Sequence, residues 1–418
     1  MRILIATAGS RGDVAPFTGL GARLREAGHQ VAVATHTSFA ESVRAAGLEF
    51  RALPVDPRAE LASGRGQRLL RAGSGPLALL PLLRLGRAFM PALGDGIAAA
   101  TEQGADLLLT TSTTAALGQV AAEAAGIPTL TLNLQPLAPT REFAPAVTGT
   151  RSLGRTGNLL AGHAVQAATD RLFGPAVRQL RRRLGLPSRS AARARRDHLV
   201  LHGFSPAVVP RPADWRPGLD VVGYWWPHSD PGWQPPPRLA DFLAAGPPPV
   251  FVGFGSLVVP DPERLTVTVL AALRAARVRA VLQRGWSGLA AEDDESVLTI
   301  DDAPHEWLFP RTAAVVHHAG AGTTAATLRA GTPAVPVPAQ LDAPFWADRL
   351  TRLGTAPGPV PFAALTPGRL ATAIRQAVDT PHHRTRARAV AATLAAEDGT
   401  AAVLTAIDRL TGRAGRTS

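Results

Sequence analysis

With 418 residues, 46% of them apolar, and 37 prolines but a single tyrosine, the chain is long enough for two or three globular domains. It has no cysteine, which excludes disulfides, thiolate metal sites and cysteine nucleophiles. Its formal charge of +12 comes from arginine alone, since lysine is absent. The densest cluster, Arg178, Arg181, Arg182, Arg183, Arg189, Arg193, Arg195 and Arg196, has no interleaved aromatics for base stacking. A solvated helix and loop is expected there rather than a nucleic-acid interface, with an anionic membrane surface as the alternative.

Arg2 to Thr7 reads as a strand, residues 8–13 as a turn and Pro16 to Ala27 as a helix closed by Gly28. Val31 to Thr35 is a strand, Ser38 to Ala46 a helix and Glu49 to Leu53 a strand. Leu107 to Thr111, Ala115 to Ala125 and Thr129 to Leu134 continue the alternation. This predicts the α/β class with a doubly wound parallel sheet. Leu77 to Met90, apolar and broken by proline, reads as a helix packed on this domain or as a segment facing a ligand or membrane. Leu137 to Leu160 is irregular and reads as a mobile loop.

Between Pro206 and Pro249 proline becomes dense, which marks a linker. A second alternation follows. Val250 to Ser256 is a strand entering a glycine turn, Leu265 to Ala276 a helix, and Ala280 to Gln283 and Leu298 to Ile300 are strands. Helices at Leu370 to Val378 and Ala387 to Ala396 close the chain. The expected division is a first Rossmann-like domain at 1–212, a linker at 213–248, a second Rossmann-like domain at 249–395 and a terminal helical piece at 396–418, with a ligand cleft between the domains. No run of about 18 apolar residues predicts a membrane span, and Met1 to Ala6 is too short for a signal peptide, so a cytoplasmic location is expected.

The most informative stretch is Ala313 to Trp346. An apolar strand leads into His317 and His318, then Gly320, Gly322, Thr323 and Thr324, a short helix ended by Gly331 and Pro333, and a strand whose following loop carries Gln340, Asp342 and Ala343. A glycine-rich turn at a helix start leaves N–H groups free at the positive end of the helix dipole, which suits a phosphate or diphosphate. His318 adds a donor, and Asp342 can reach what the phosphate carries. At the other end of the chain, Gly9-Ser-Arg-Gly-Asp-Val-Ala-Pro-Phe17 places Asp13 either as a general base or as a cap of the following helix.

His318 to Thr324, Arg329 to Pro333, Asp342 to Trp346 and Gly9 to Phe17 resemble the motifs of family 1 glycosyltransferases. The likeness is to the sterol glucosyltransferase branch and its bacterial natural-product relatives. The resemblance implies the GT-B fold, with the last helices crossing back onto the first domain, and inverting transfer of a sugar from a UDP- or dTDP-sugar to a hydroxyl of an apolar acceptor such as a polyketide, macrolide, sterol or terpenoid. It implies Asp13, with Ser10 orienting the acceptor, as the catalytic pair. Ser256, His318, Gly320, Gly322 and Thr323 would hold the diphosphate, Ala303 and His305 would line the nucleobase pocket, and Asp342, Ala343 and Gln340 would face the donor sugar. Relatives usually carry glutamine where this chain has Ala343, which favours a deoxysugar donor. Asp302 stands where plant relatives carry a base-stacking tryptophan; Trp286 and Trp307 read as core residues.

No Asp-x-Asp pair is present, and the His317-His318 and His382-His383 pairs lack an evident third ligand, so a metal-independent mechanism without cofactor is expected. The chain would act as a monomer or homodimer, with at most peripheral membrane contact. Two other readings compete. A nucleotide-dependent oxidoreductase is weakened because neither glycine turn reads Gly-x-Gly-x-x-Gly. A catalytically silent relative or lipid-surface binding protein is weakened by the joint presence of Asp13, His318 and Asp342.

Overall fold

The computed structural model describes residues 1–54, 76–189 and 198–412, and for residues 76–88 the backbone alone. The first half runs β1 (Arg2–Ala6), α1 (Arg11–Glu26), β2 (Gln30–His36), α2 (Ala40–Ala45), β3 (Glu49–Leu53), α3 (Pro76–Glu102), β4 (Leu107–Thr110), α4 (Ala115–Ala125), β5 (Thr129–Asn133), α5 (Gly154–Arg183), β6 (Val200–His202) and β7 (Leu219–Val221). The second runs α6 (Pro237–Ala244), β8 (Val250–Gly253), α7 (Pro262–Ala276), β9 (Ala280–Gln283), β10 (Val297–Ile300), α8 (His305–Leu308), β11 (Ala314–His317), α9 (Ala321–Arg329), β12 (Ala334–Pro336), α10 (Ala343–Arg352), α11 (Pro367–Asp379), α12 (Pro381–Ala395) and α13 (Gly399–Leu410).

The strands form two parallel sheets, ordered β3-β2-β1-β4-β5-β6-β7 and β10-β9-β8-β11-β12. Their faces are both covered, as parallel sheets require. Alternation along β1 sends Ile3 and Ile5 to one core with Phe17, Leu20 and Leu24 of α1, and Leu4 and Ala6 to the other with Ile97 of α3 and Val120 of α4. Val403, Ala406 and Ile407 of α13 join the first of these cores, so the chain returns to its first domain after building the second.

In each sheet the strand order reverses once, between β1 and β4 and between β8 and β11. Chains leaving such neighbours diverge to opposite faces and leave a crevice at the carboxyl ends. The turn after β1 carries Ser10 and leads to Asp13, and the turns after β8 and β11 carry Ser256 and His318. Thr113 and Thr114 fasten the first crevice by donating to the carbonyls of Ala8 and Ala6, each at 2.7 Å.

Several expectations are corrected. The segment 213–248 is not linker throughout. Its Leu219–Val221 is the last strand of the first sheet, paired with β6, and its α6 packs Leu239 and Phe242 into the second domain's core. Residues 154–160 belong to α5, and the loop before it is anchored rather than free: Asp214 accepts from Thr140 Oγ1 at 2.6 Å and Arg141 N at 2.7 Å, and Glu142 accepts from Ala213 N at 2.7 Å. Arg181 is not solvated. It is buried and forms a two-pronged ion pair with Glu123, at 2.8 and 2.9 Å. Arg193, Arg195 and Arg196, and the side chains of Leu77 to Arg87 and Ala88, lie outside the described residues.

Residues 381–410 contain a window apolar enough to cross a membrane by length and composition alone. That window includes the break between α12 and α13, of 15 and 12 residues. At 1.5 Å per residue neither helix reaches the roughly 30 Å of a bilayer core.

Candidate active site

The first-domain side of the cleft is built by the start of α1. Gly9 sits at φ +147°, where a side chain would be strained and would run into the Asp13 carboxylate. Its N–H donates to His36 Nε2 at 2.9 Å, which fixes the turn against β2. The helix begins at Arg11 rather than at Pro16, so Asp13 lies in its first turn and not in the preceding loop. Ser10, not Asp13, is the N-cap. Asp13 Oδ2 reaches back to accept from Ser10 N at 2.8 Å and Ser10 Oγ at 3.0 Å, the reciprocal arm of a capping box. Burial pushes the Asp13 carboxyl above its ordinary pKa. The Ser10 hydrogen bonds oppose the shift, and the negative charge of Asp342 adds to it.

The second-domain side is built by the turn between β11 and α9. Gly320 is the N-cap of α9, extended at φ −67°, with no side chain bonded to the helix start. Ala319 holds φ +60° and Leu341 φ +55°, left-handed conformations that cost a non-glycine residue, in the two loops that frame this turn. Gly255, at φ +56°, lies so close to the His318 ring that an added Cβ would fall 2.8 Å from its Cε1. His318 Nδ1 is buried without a hydrogen-bond partner among the described residues, and burial lowers its pKa to about 4. The ring is therefore neutral near pH 7 and has one N–H to give. Thr324 Oγ1, fully buried in the first turn of α9, also has no partner. Ser256 and Thr323 are half-buried beside these groups.

His317 braces this turn from inside rather than lining its open side. It is buried, accepts from Ala319 N at 3.1 Å through Nδ1, and has its pKa lowered by burial to about 3. His383 Nδ1 pairs with the Gly354 carbonyl at 2.8 Å, remote from the cleft in sequence and packed on α10. Among the described residues no group of three or more metal-ligating side chains occurs.

Asp342 takes the N-cap position of α10, but its Oδ2 accepts from Trp346 Nε1 at 2.8 Å instead of capping the helix. Burial raises its pKa, opposed by that bond. Ala343 is buried in a small cluster with Ala319 and Ala347, so its methyl group supports the turn. Gln340 is exposed, and its carbonyl accepts from Ala343 N at 3.2 Å. Beyond β10, Ala303 is buried and His305 stacks on Phe309 at 4.3 Å between ring centres, with Nε2 unpartnered. Burial lowers the His305 pKa to about 4. Trp286 and Trp307 are half-buried, and Trp307 packs on the edge of the second domain's core and edge-on against Trp233 at 5.2 Å.

The two sides meet. An added Cβ on Gly322 would lie 3.9 Å from Gly12 Cα, so the starts of α9 and α1 face each other. Arg11 Nη1 donates across the cleft to Asp302 Oδ2 at 2.7 Å, and Gln283 Nε2 donates to the other oxygen of Asp302 at 2.9 Å. Sequence reasoning missed Arg11, Gln283, Gly255 and Thr324. Arg11 and Thr324 lay within motifs already singled out, whereas nothing local marks Gln283.

This arrangement is a crevice with two opposed carboxylates and a donor-rich helix start between them. It can accept a proton at one wall and hold a developing anion at the other. Comparison with known proteins agrees. Residues 3–143 match the glycosyltransferase family 28 N-terminal domain, and residues 270–410 match the erythromycin biosynthesis protein CIII-like C-terminal domain. The chain is 39% identical over 417 residues to the O-mycaminosyltylonolide 6-deoxyallosyltransferase of Streptomyces fradiae, spanning 96% of this chain and 95% of that protein. It is 36% identical to a sterol 3-beta-glucosyltransferase of Arabidopsis thaliana over 98% of this chain and 68% of that one. Among solved structures, the glycosyltransferase VinC in complex with dTDP superposes with a TM-score of 0.67 at 20% identity, over 99% of this chain and 100% of that one. Two parallel-sheet domains around such a crevice, matched at both ends by these families, make this chain an α/β enzyme of the GT-B fold that belongs to the sterol and macrolide glycosyltransferase family.

Proposed function

We propose that the enzyme transfers a sugar, with inversion, from a UDP- or dTDP-sugar to a hydroxyl of an apolar acceptor of the polyketide, macrolide, sterol or terpenoid class. The observation that carries this is the opposition, across one cleft, of the half-buried Asp13 carboxylate and the uncapped start of α9. Asp13 takes the acceptor hydroxyl proton, and burial raises its basicity in the direction a general base needs. The acceptor oxygen then bonds to the anomeric carbon as the bond from that carbon to the diphosphate oxygen breaks. The leaving diphosphate gathers charge against the amides of Gly320 to Thr323, the hydroxyls of Ser256 and Thr323 and the neutral His318 ring. Ser10 orients the acceptor, Ala303 and His305 line the base pocket, and Asp342 with Gln340 holds the sugar. A dTDP-deoxysugar is the favoured donor, because Ala343 supplies no amide for a further hydroxyl. The Streptomyces relative is a 6-deoxyallosyltransferase and VinC binds dTDP, and both support that choice.

No metal or cofactor is required in this mechanism, and the protein works in the cytoplasm as a monomer or homodimer. Calorimetry with UDP, dTDP, UDP-glucose and dTDP-glucose in EDTA tests the reading. Binding of a diphosphate or its sugar is expected. Binding that depends on added magnesium or manganese would remove the metal-free mechanism, and binding of none of the four would remove the donor class.

A further inference from the structure

The loop after β5 belongs to the first domain, yet one of its side chains reaches the second. Phe143 meets Phe345 of α10 with 5.4 Å between ring centres and planes tilted by 59°. Arg349, one turn further along α10, lays its guanidinium over both rings, 5.4 Å from Phe143 and 4.9 Å from Phe345. Among the described residues Arg349 makes no ion pair, and its Nε is buried without a partner. The neighbouring carboxylates are engaged elsewhere: Asp348 accepts from Arg352 at 2.6 Å and Glu142 from Ala213 N. A cation held this way takes its stabilisation from the ring faces, and loses it if the rings part.

Phe345 then packs edge-on against Trp346 at 5.3 Å, and Trp346 donates to Asp342. A continuous path of rings therefore runs from the first domain's loop to the carboxylate that faces the donor sugar. The loop end of that path is firmly seated through Asp214, and Phe143 also lines a small crevice with Leu137, Thr140, Ala146 and Val147. The stack is one part of a shared core in which Ala146 of the loop and Phe204 also pack with Phe345 and Trp346, Phe204 lying 5.9 Å from Trp346 between ring centres.

We propose that Phe143 and Arg349 are positioning residues that couple the loop at 137–147 to the donor-sugar carboxylate Asp342, through Phe345 and Trp346. The coupling sets how tightly the sugar, as distinct from the nucleotide, is held. It rests on the proposed donor site, but it concerns residues that no part of that reading uses. Removing the Phe143 ring frees Arg349 and Phe345 to shift, and Asp342 follows through its bond to Trp346. The diphosphate turn at Gly320 rests on Ala343 and Ala347 of the same helix but not on Phe345 or Trp346, so the loss is expected to fall first on the sugar.

The test compares affinities by calorimetry for UDP and dTDP against UDP-glucose and dTDP-glucose, in wild type, Phe143→Ala, Phe143→Tyr and Asp342→Asn, and in the Phe143→Ala/Asp342→Asn double variant. Phe143→Ala is expected to leave the affinity for the tighter-binding diphosphate within about twofold and to weaken its sugar nucleotide about five- to twentyfold, with Phe143→Tyr restoring most of the loss. In the Asp342→Asn background, Phe143→Ala should cost no more than about twofold, because both act through one carboxylate. Equal losses for diphosphate and sugar nucleotide would show a merely structural role. Full additivity of the two substitutions would break the proposed path, as would an unchanged sugar nucleotide affinity in Phe143→Ala. A wild type that binds none of the four compounds overturns the donor site itself, and this inference with it. Should Phe143→Ala fail to fold, Arg349→Met tests the same path, with the same differential loss expected and an equal loss overturning it.

Discussion

In the proposed reaction, Asp13 would be one carboxylate serving both structure and chemistry. Its Oδ2 atom satisfies the N-terminus of α1 through Ser10, while burial and the facing Asp342 raise its basicity. Asp13→Asn keeps the shape and an amide oxygen for the Ser10 bonds but removes the base. It is expected to leave the melting temperature nearly unchanged and to lower kcat by at least about 100-fold. Transfer at the wild-type rate would make Asp13 a cap alone. His318→Ala removes a neutral donor from the diphosphate turn and should weaken binding of UDP or dTDP about tenfold, read by calorimetry. Unchanged affinity would take the ring out of the site. The turns that carry Asp13, His318 and Asp342 were legible in the sequence because each is a contiguous motif of glycines and turn residues at a helix start. The Arg11–Asp302 pair was not, since its members are 291 positions apart and meet only when the two domains face each other.

At the scale of elements, the long strands and helices of both domains follow from apolar period and stop signals, and their boundaries shift by a few residues. The departures have local causes. Val200–His202 and Leu219–Val221 are three residues each, too short for a period, and the second stands among prolines. Pro16 was taken to open a helix that in fact starts five residues earlier, because Ser10 and Asp13 cap it first. The arginine-rich end of α5 misled for another reason: composition cannot tell a solvated arginine from one that pins a helix. Arg181 is buried and its partner Glu123, on α4, is about one-third exposed. Glu123→Gln leaves a buried cation with a weaker acceptor. Denaturant unfolding should show a loss of about 1–3 kcal/mol, below the cost of breaking a fully buried pair because water reaches Glu123. A loss under about 0.5 kcal/mol would mean that α5 is held by its apolar face alone.

Taken whole, the molecule withdraws five of its eleven histidines from water far enough to change their basicity. His198, His202, His305, His317 and His318 all have pKa values lowered by burial, to between about 3 and about 4. Three of these, His305, His317 and His318, lie at or beside the donor turn, so the site and the stability of the second domain respond to acid together. The sign follows from linkage. An unfolded chain protonates these rings as the pH falls through about 6.5, while the folded chain resists until about 4. Their contribution to stability is therefore fully present above pH 6.5 and is lost progressively between there and pH 4. Asp13, Asp342 and Glu397 act in the opposite direction, since burial raises their pKa values and the folded state takes up protons first. Five rings against three carboxyls leave a net uptake on unfolding. Urea melts at pH 7.0, 6.0 and 5.5 should give an unfolding free energy that falls with acid, with a slope corresponding to more than about one proton taken up. A flat or rising stability over that interval would mean that the raised carboxyls outweigh the rings or that the rings are charged in the folded protein, and an NMR titration of His318 separates the two.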